Sequence, residues 1–240
     1  MLATTAGLAV IVLVAATTGA WVGEQRAMGV AATSAAARAD AALTEVEHEL
    51  DVVGAITAGK AACSPEVRQV LARAAIGSVL VREFFVESDT ITEPCGAFGP
   101  SERSWTVAPG AAGEFQMVPA EDIRGGFVVR RVYPTHAVVA YMEPRQFLDR
   151  MPEASLGNTI VLRNSAGWLL GQSGVVTSEP LALVRRRVGA QGLTIEMPLT
   201  RQRLLACLGD RALVWLLVWV LACVVAIGGA NRVIAWRASR

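Results

Sequence analysis

The chain has 240 residues and a formal net charge of +1, with 22 Lys plus Arg against 21 Asp plus Glu. That balance excludes the strongly basic surface expected of a nucleic-acid binder and leaves no field to attract a highly acidic partner. The apolar fraction is 53% and the mean hydropathy is +0.43. A wholly soluble domain would sit near about 45–50% apolar, and the surplus here is concentrated at the two ends.

Residues 1–23 carry no charged side chain. Their centre, Leu8 to Ala16, is continuously apolar, and the stretch just reaches the roughly 20 residues that cross a bilayer. Trp21 closes it, as an indole does at a membrane–water boundary. The rival reading is a cleaved signal peptide with Thr18-Gly19-Ala20 as the small-residue site. No Lys or Arg precedes the apolar run, so a retained anchor is expected. Either reading sends the segment beyond residue 23 across the membrane.

Residues 24–62 are alanine-rich and free of proline, which favours a long helix. Leu43, Val46, Leu50, Val53 and Ile56 recur at steps of three and four and form one apolar stripe. Gly54, Gly59 and the region of Lys60, the only lysine in the chain, are expected to end or bend that helix. Ser64-Pro65-Glu66 is a helix start: serine caps, proline fits the first turn, and glutamate favours the positive dipole end. Val67, Val70, Leu71, Ala74 and Ala75 should face inward, and Gly77 should end the helix.

The next stretch, 79–86, reads as a strand, followed by a turn at Ser88-Asp89-Thr90. Strands are expected at 127–133 and 136–142, joined by a turn at Pro134-Thr135. A short helix is expected at 144–151, and short strands at 159–163 and 168–170. The segment 181–188 is read as a helix, and 193–197 as a last strand. Residues 212–230 are again uncharged, with Trp215, Trp219 and Trp236 near the ends and Arg232, Arg237 and Arg240 beyond. This is a second span with its tail in the cytoplasm. The expected layout is a span at 1–23, an exported domain at 24–211, a span at 212–231 and a tail at 232–240.

Chemistry-bearing residues are few. Cys63 and Cys95 lie in the exported part, where disulfides persist. A bond between them would contribute about 3–4 kcal/mol by the chain-entropy model. From the residues alone, a regulatory bond, a structural staple and two buried thiols all stand. Cys207 precedes the second span and Cys223 lies inside it. No Cys-x-x-Cys occurs, and the only imidazoles are His48 and His136, so no metal site is expected. His48, among Glu45, Glu47 and Glu49, reads as a solvated face, and His136 as a surface turn residue. Gly125-Gly126 and Gly171 to Gly174 are turn signals and match no phosphate-binding glycine pattern. Arg185-Arg186-Arg187 reads as a solvated face or an anion contact. A ligand cavity would be sought around Arg130, Arg131 and Tyr133. No catalytic residue and no cofactor is assigned.

Cys63-Ser64-Pro65-Glu66 with its helix, the strand after it, and Cys95 some thirty positions on resemble the CSS-motif sensory domain. That domain is the periplasmic part of a group of bacterial cyclic di-GMP phosphodiesterases. Ser104 to Pro109, and His136 to Ala140 leading to Pro144 and Phe147, are similar to later segments of that family, as are the two flanking spans. Where the family reads Cys-Ser-Ser, this chain reads Cys95-Gly96-Ala97. The family's EAL catalytic domain is not found up to Arg240.

The resemblance implies an α+β fold: a long membrane-linked helix on an antiparallel Cache- or PAS-like sheet. It implies placement in a bacterial inner membrane with the central domain in the periplasm. It also implies a redox switch at Cys63 and Cys95, made by the periplasmic thiol-disulfide oxidation machinery. The expected partners are an EAL-domain chain in cis or trans and a second copy of this chain. This chain itself is not expected to be an enzyme. The alternatives are a small-molecule-binding, Cache-like sensor and a membrane interaction protein with a purely structural disulfide.

Overall fold

The computed structural model describes residues 2–88, 93–101, 115–119, 126–152, 159–174, 179–189, 192–207 and 209. Residues 2–13, 15, 16, 115, 118 and 119 are described by their backbone alone. The chain forms two compact units. The larger comprises residues 29–177 and 183–198; the smaller comprises residues 1–28, 178–182 and 199–240.

Helix α1 (Leu2–Thr57) runs for 56 residues. In the larger unit its buried side is Ala32, Ala35, Ala39, Ala42, Leu43, Val46, Leu50, Val53 and Thr57. Steps of three and four keep these on one face. Ile56 does not belong to it: it is 44% exposed, whereas Thr57 is 3% exposed. Four residues beyond Val53 stays nearer the stripe than three does, so Thr57 takes the inner position. Its hydroxyl donates to the Val53 carbonyl at 2.8 Å, which satisfies a polar group that would be costly to bury alone. Gly59 adopts a φ of 70° just past the end, a left-handed stop that favours glycine.

Helix α2 (Pro65–Gly77) starts as its sequence dictates. The Ser64 side chain accepts from the Val67 amide, and Pro65 occupies the first turn. Val67 and Leu71 are buried; Val70, Ala74 and Ala75 are half-buried.

Among the described residues ten strands follow: β1 (Val81–Glu87), β2 (Cys95–Gly96), β3 (Gly99–Pro100), β4 (Phe115–Pro119), β5 (Phe127–Val132), β6 (Ala137–Met142), β7 (Ile160–Arg163), β8 (Leu169–Ser173), β9 (Ala182–Val188) and β10 (Leu193–Leu199). Helix α3 (Pro144–Asp149) lies between β6 and β7. The first sheet has the order β3-β2-β1-β6-β5-β4, the second β8-β7-β10-β9. The fold is therefore α+β with antiparallel pairing, as expected. The Asn164 side-chain amide donates to the Met117 carbonyl at 3.3 Å and ties β4 to the β7–β8 turn. Phe127 and Phe147 meet edge to face at 5.6 Å, seating α3.

Three expectations change. Residues 181–188 are not helical but form strand β9. Its Val184 and Val188 are β-branched, and the turn after it uses Gly189 and Gly192 at positive φ. That hairpin chemistry outweighs the helical spacing of Leu181, Val184 and Val188. Gly171 to Ser173 belong to β8 rather than to a turn. Strand β4 and the short pair β2–β3 have no counterpart among the expected elements.

Among the described residues no helix is long and apolar enough to cross a membrane. The expected span 212–231 and the tail 232–240 lie outside the described residues. So do Asp89, Thr90 and Ser104 to Pro109.

In the smaller unit Glu24 is buried and pairs with Arg203. Thr200 caps the helical residues 201–207, accepting from the Arg203 amide at 3.3 Å.

Gly54, expected to break the helix, is instead a packing position. A Cβ there would lie 2.3 Å from Cζ of Tyr133. The Tyr133 hydroxyl donates to the Leu50 carbonyl at 2.9 Å and lies 3.0 Å from Asp51 Oδ1. Gly54→Ala gains about 0.5–1 kcal/mol in helix propensity, but it expels that ring at about 1–3 kcal/mol. A net fall in melting temperature is expected for Gly54→Ala. In a Tyr133→Leu background the same change should be neutral or stabilising.

Candidate functional site

The structure brings Cys63 and Cys95 together as a disulfide, with alpha-carbons 5.5 Å apart across 32 positions of chain. Cys63 sits in the short loop between α1 and α2, directly before the capping Ser64. Cys95 sits on β2 and pairs across the sheet with Val86 of β1. The bond thus joins the loop after the long helix to the second strand of the main sheet. Its halves differ in exposure: Cys95 is fully buried, whereas Cys63 is half-buried. Gly96, which follows Cys95, is tightly enclosed. A Cβ there would lie 3.1 Å from the Phe85 ring and 3.2 Å from a Glu83 carboxylate oxygen. A serine at this position would therefore crowd β1.

The three residues named for a cavity do not converge. Arg130 and Arg131 are neighbours on β5 and so point to opposite faces of the sheet. Arg131 approaches Asp51 of α1 at 3.4 Å, on the helix side. Tyr133 lies on that side too. Arg130 lies on the other face, where its Nε donates to Glu87 at 2.7 Å and a terminal nitrogen donates to Gln116 at 3.2 Å. Across the sheet this row runs Gln116, Arg130, Val139, Phe85. Beside it lie Val128 and Tyr141, and Phe85, Val128, Val139 and Tyr141 form one buried cluster. The face therefore combines an apolar floor with an Arg–Glu–Gln group at one side.

His136 is not a surface turn residue. Its ring stacks on Tyr133 at 5.1 Å. Nε2 lies 3.2 Å from Thr57 Oγ1, and Nδ1 lies 3.2 Å from Thr135 Oγ1. Because the Thr57 hydroxyl already donates to Val53, it accepts from Nε2–H, which leaves Nδ1 to accept from Thr135. Burial holds the imidazole below its ordinary pKa, against a smaller opposing effect of a hydrogen bond with the Gly54 backbone. Burial also pushes the Tyr133 phenol upward, aided by its hydrogen bond to Asp51. This pair clamps the β5–β6 turn onto the last turns of α1. The local signal for it is slight: Gly54 lies on the buried side of a helix otherwise rich in alanine. His48 is exposed, as expected.

Arg185, Arg186 and Arg187 divide their roles. Arg185 and Arg163 both donate to the buried Glu196, at 2.8 and 2.9 Å. Arg186 donates to Thr33 of α1 at 3.1 Å. Two of the three are thus engaged with the protein itself. Cys207 is a thiol whose Sγ donates to a Glu24 carboxylate oxygen at 3.1 Å. Cys223 lies outside the described residues. Among those residues no cluster of His, Cys, Asp or Glu is arranged to hold a metal ion.

No protein-family model and no curated protein sequence matches the chain. Among solved structures it is similar to the ligand-binding domain of the Pseudomonas aeruginosa PAO1 amino acid chemoreceptor PctC in complex with GABA. The TM-score is 0.49 at 9% identity, covering 74% of this chain and 100% of that one.

Cys63→Ser and Cys95→Ser each remove the same cross-link, so each should lower stability by about 3–4 kcal/mol, and the double variant by no more than either. Denaturant melts of the three variants check this; clearly additive losses would mean the cysteines act separately. A second expected outcome concerns pH. His136 binds a proton less readily folded than unfolded, so its contribution is complete above the ordinary histidine value of about 6.5. It is lost progressively as pH falls below that value. Melting temperatures between about pH 7.5 and 5 should therefore fall more steeply for the native chain than for His136→Asn.

Proposed function

We propose that this chain is a membrane-anchored periplasmic sensor whose signal is the thiol state of Cys63 and Cys95. The observation that carries the reading is the position of the bond, which fastens the loop that follows a 56-residue helix to strand β2 of the main sheet. A cross-link between two elements is a switch only if its removal lets them part, and this one ties the α1–α2 loop to β2. Removing about 3–4 kcal/mol of constraint is comparable to the few kcal/mol that separate two states of a bistable element.

The sequence likeness to CSS-motif sensory domains supports a link to cyclic di-GMP signalling. In this reading the chain performs no catalysis. An EAL-domain phosphodiesterase, in cis or trans, carries the output, and the periplasmic thiol-oxidation machinery sets the input. The uncharged stretches 1–23 and 212–231 support two spans of the inner membrane, with α1 relaying the change. A second copy of the chain would complete the signalling unit. Gly96 and Ala97 replace the family's two serines, so the proposed switch uses the sulfurs alone.

A second reading is favoured by one observation: the Arg130–Glu87–Gln116 group beside the apolar floor of the sheet. An arginine held this way suits a small ligand bearing a carboxylate, as in a Cache-like sensor.

Hydrogen exchange on the full chain in nanodiscs, oxidised against reduced, tests the first reading. Reduction should speed exchange at residues 50–64 and 93–96 by about tenfold or more. Unchanged exchange along α1 would leave the disulfide a staple without a signalling role. Protection gained only on adding carboxylate ligands would favour the second reading.

A further inference from the structure

We infer that the bond opens at one sulfur only: an incoming thiolate attacks Cys63 Sγ and Cys95 is the leaving group. The inference rests on the redox reading above and adds its point of entry and the chemical class of partner, a dithiol oxidoreductase.

Thiol–disulfide exchange is an in-line displacement. The nucleophile approaches along the extension of the sulfur–sulfur axis, on the far side of the sulfur it attacks. Attack on Cys95 would require approach from behind Cys95, and that residue is fully buried on β2 against Val86. Attack on Cys63 requires approach from the far side of the α1–α2 loop. There Gly59, Lys60, Ala61, Pro65 and Glu66 are all exposed, and Cys63 itself is half-buried. Ala62 is buried beside Cys63, but the exposed residues around the bond lie on the Cys63 side.

The local electrostatics favour the same end. Cys63 directly precedes the N-cap of α2, where free amides and the helix dipole favour negative charge. The same end carries Lys60. An approaching thiolate is favoured there, with the exposed Glu66 in the first turn of α2 opposing it in part.

One thiolate of the reduced partner bonds to Cys63 Sγ; the Cys63–Cys95 bond breaks, and Cys95 departs with the electron pair and takes a proton. The partner's second thiol then attacks its own mixed-disulfide sulfur and releases Cys63. The partner is oxidised by two electrons and this chain is reduced by two. Oxidation is the reverse, entering again at Cys63.

The test uses the oxidised full chain in nanodiscs and, as probe, a thioredoxin-fold oxidoreductase whose resolving cysteine is replaced by serine. After acid quenching and alkylation, peptide mapping locates the mixed disulfide. The expected result is about tenfold or more adduct on Cys63 than on Cys95. Equal labelling, or an excess on Cys95, overturns the inference. No adduct at either cysteine unless the chain is denatured overturns both the inference and the redox-sensing reading. An adduct on Cys63 with unchanged exchange along α1 sustains the entry point while the switch reading fails. Glutathione as a small probe should give the same selectivity; entry at Cys95 with glutathione would show that burial does not direct the attack.

Discussion

The disulfide between Cys63 and Cys95 is the constraint on which the larger unit turns. Strand β2 is two residues long and lies near one edge of the main sheet, and so short a strand gains little from its own ladder. The cross-link holds it to the loop after α1 regardless of how strong that ladder is. It also fixes the start of α2, because Cys63 adjoins the serine that caps that helix. One bond therefore sets the relation of a helix end, a helix start and a sheet edge.

The noncovalent clamp nearby works by a different principle. Tyr133 and His136 close over Gly54 and Thr57, positions on α1 where the side chain is absent or small. The ring fills the space that a larger residue would occupy, and its hydroxyl reaches the Leu50 carbonyl. This contact is specific because every polar atom in it has a geometry to meet. It is also sensitive to proton concentration, since burial disfavours the charged imidazole. A covalent and a titratable fastener thus both grip one stretch of chain, from Leu50 to Ser64.

The opposite face of the same sheet is organised for another purpose. Phe85, Val128, Val139 and Tyr141 are buried there, yet Arg130, Glu87 and Gln116 share that side. Alternation along β5 separates Arg130 from Arg131 and gives the two faces different chemistry. One arginine fastens the sheet to α1 through Asp51; its neighbour joins a polar group away from the helix. In the second sheet Glu196 plays a comparable fastening role, buried between Arg163 and Arg185. Breaking that carboxylate's pairing would leave a buried charge, which is more costly than the pair is stabilising.

The sequence by itself determined the elements whose signals are local. The Ser64-Pro65 start of α2, the stripe Leu43–Val46–Leu50–Val53, and strands β1, β5, β6, β7 and β10 follow from capping, period and β-branched runs, which need no distant partner. The pairing of Cys63 with Cys95 is not fixed by their spacing, which does not choose between a bond and two thiols. What only the tertiary structure decided lies at positions where a distant segment supplies the deciding interaction. Residues 182–188 satisfy a helical spacing and a strand equally well, and it is hydrogen bonding to β10 that selects the strand. Gly54 reads as a breaker until Tyr133, far along the chain, fills the space above it. His136 reads as a surface residue until Thr57 meets its Nε2. The unequal exposure of Cys63 and Cys95 is likewise set by tertiary packing, and no local pattern in the chain encodes it.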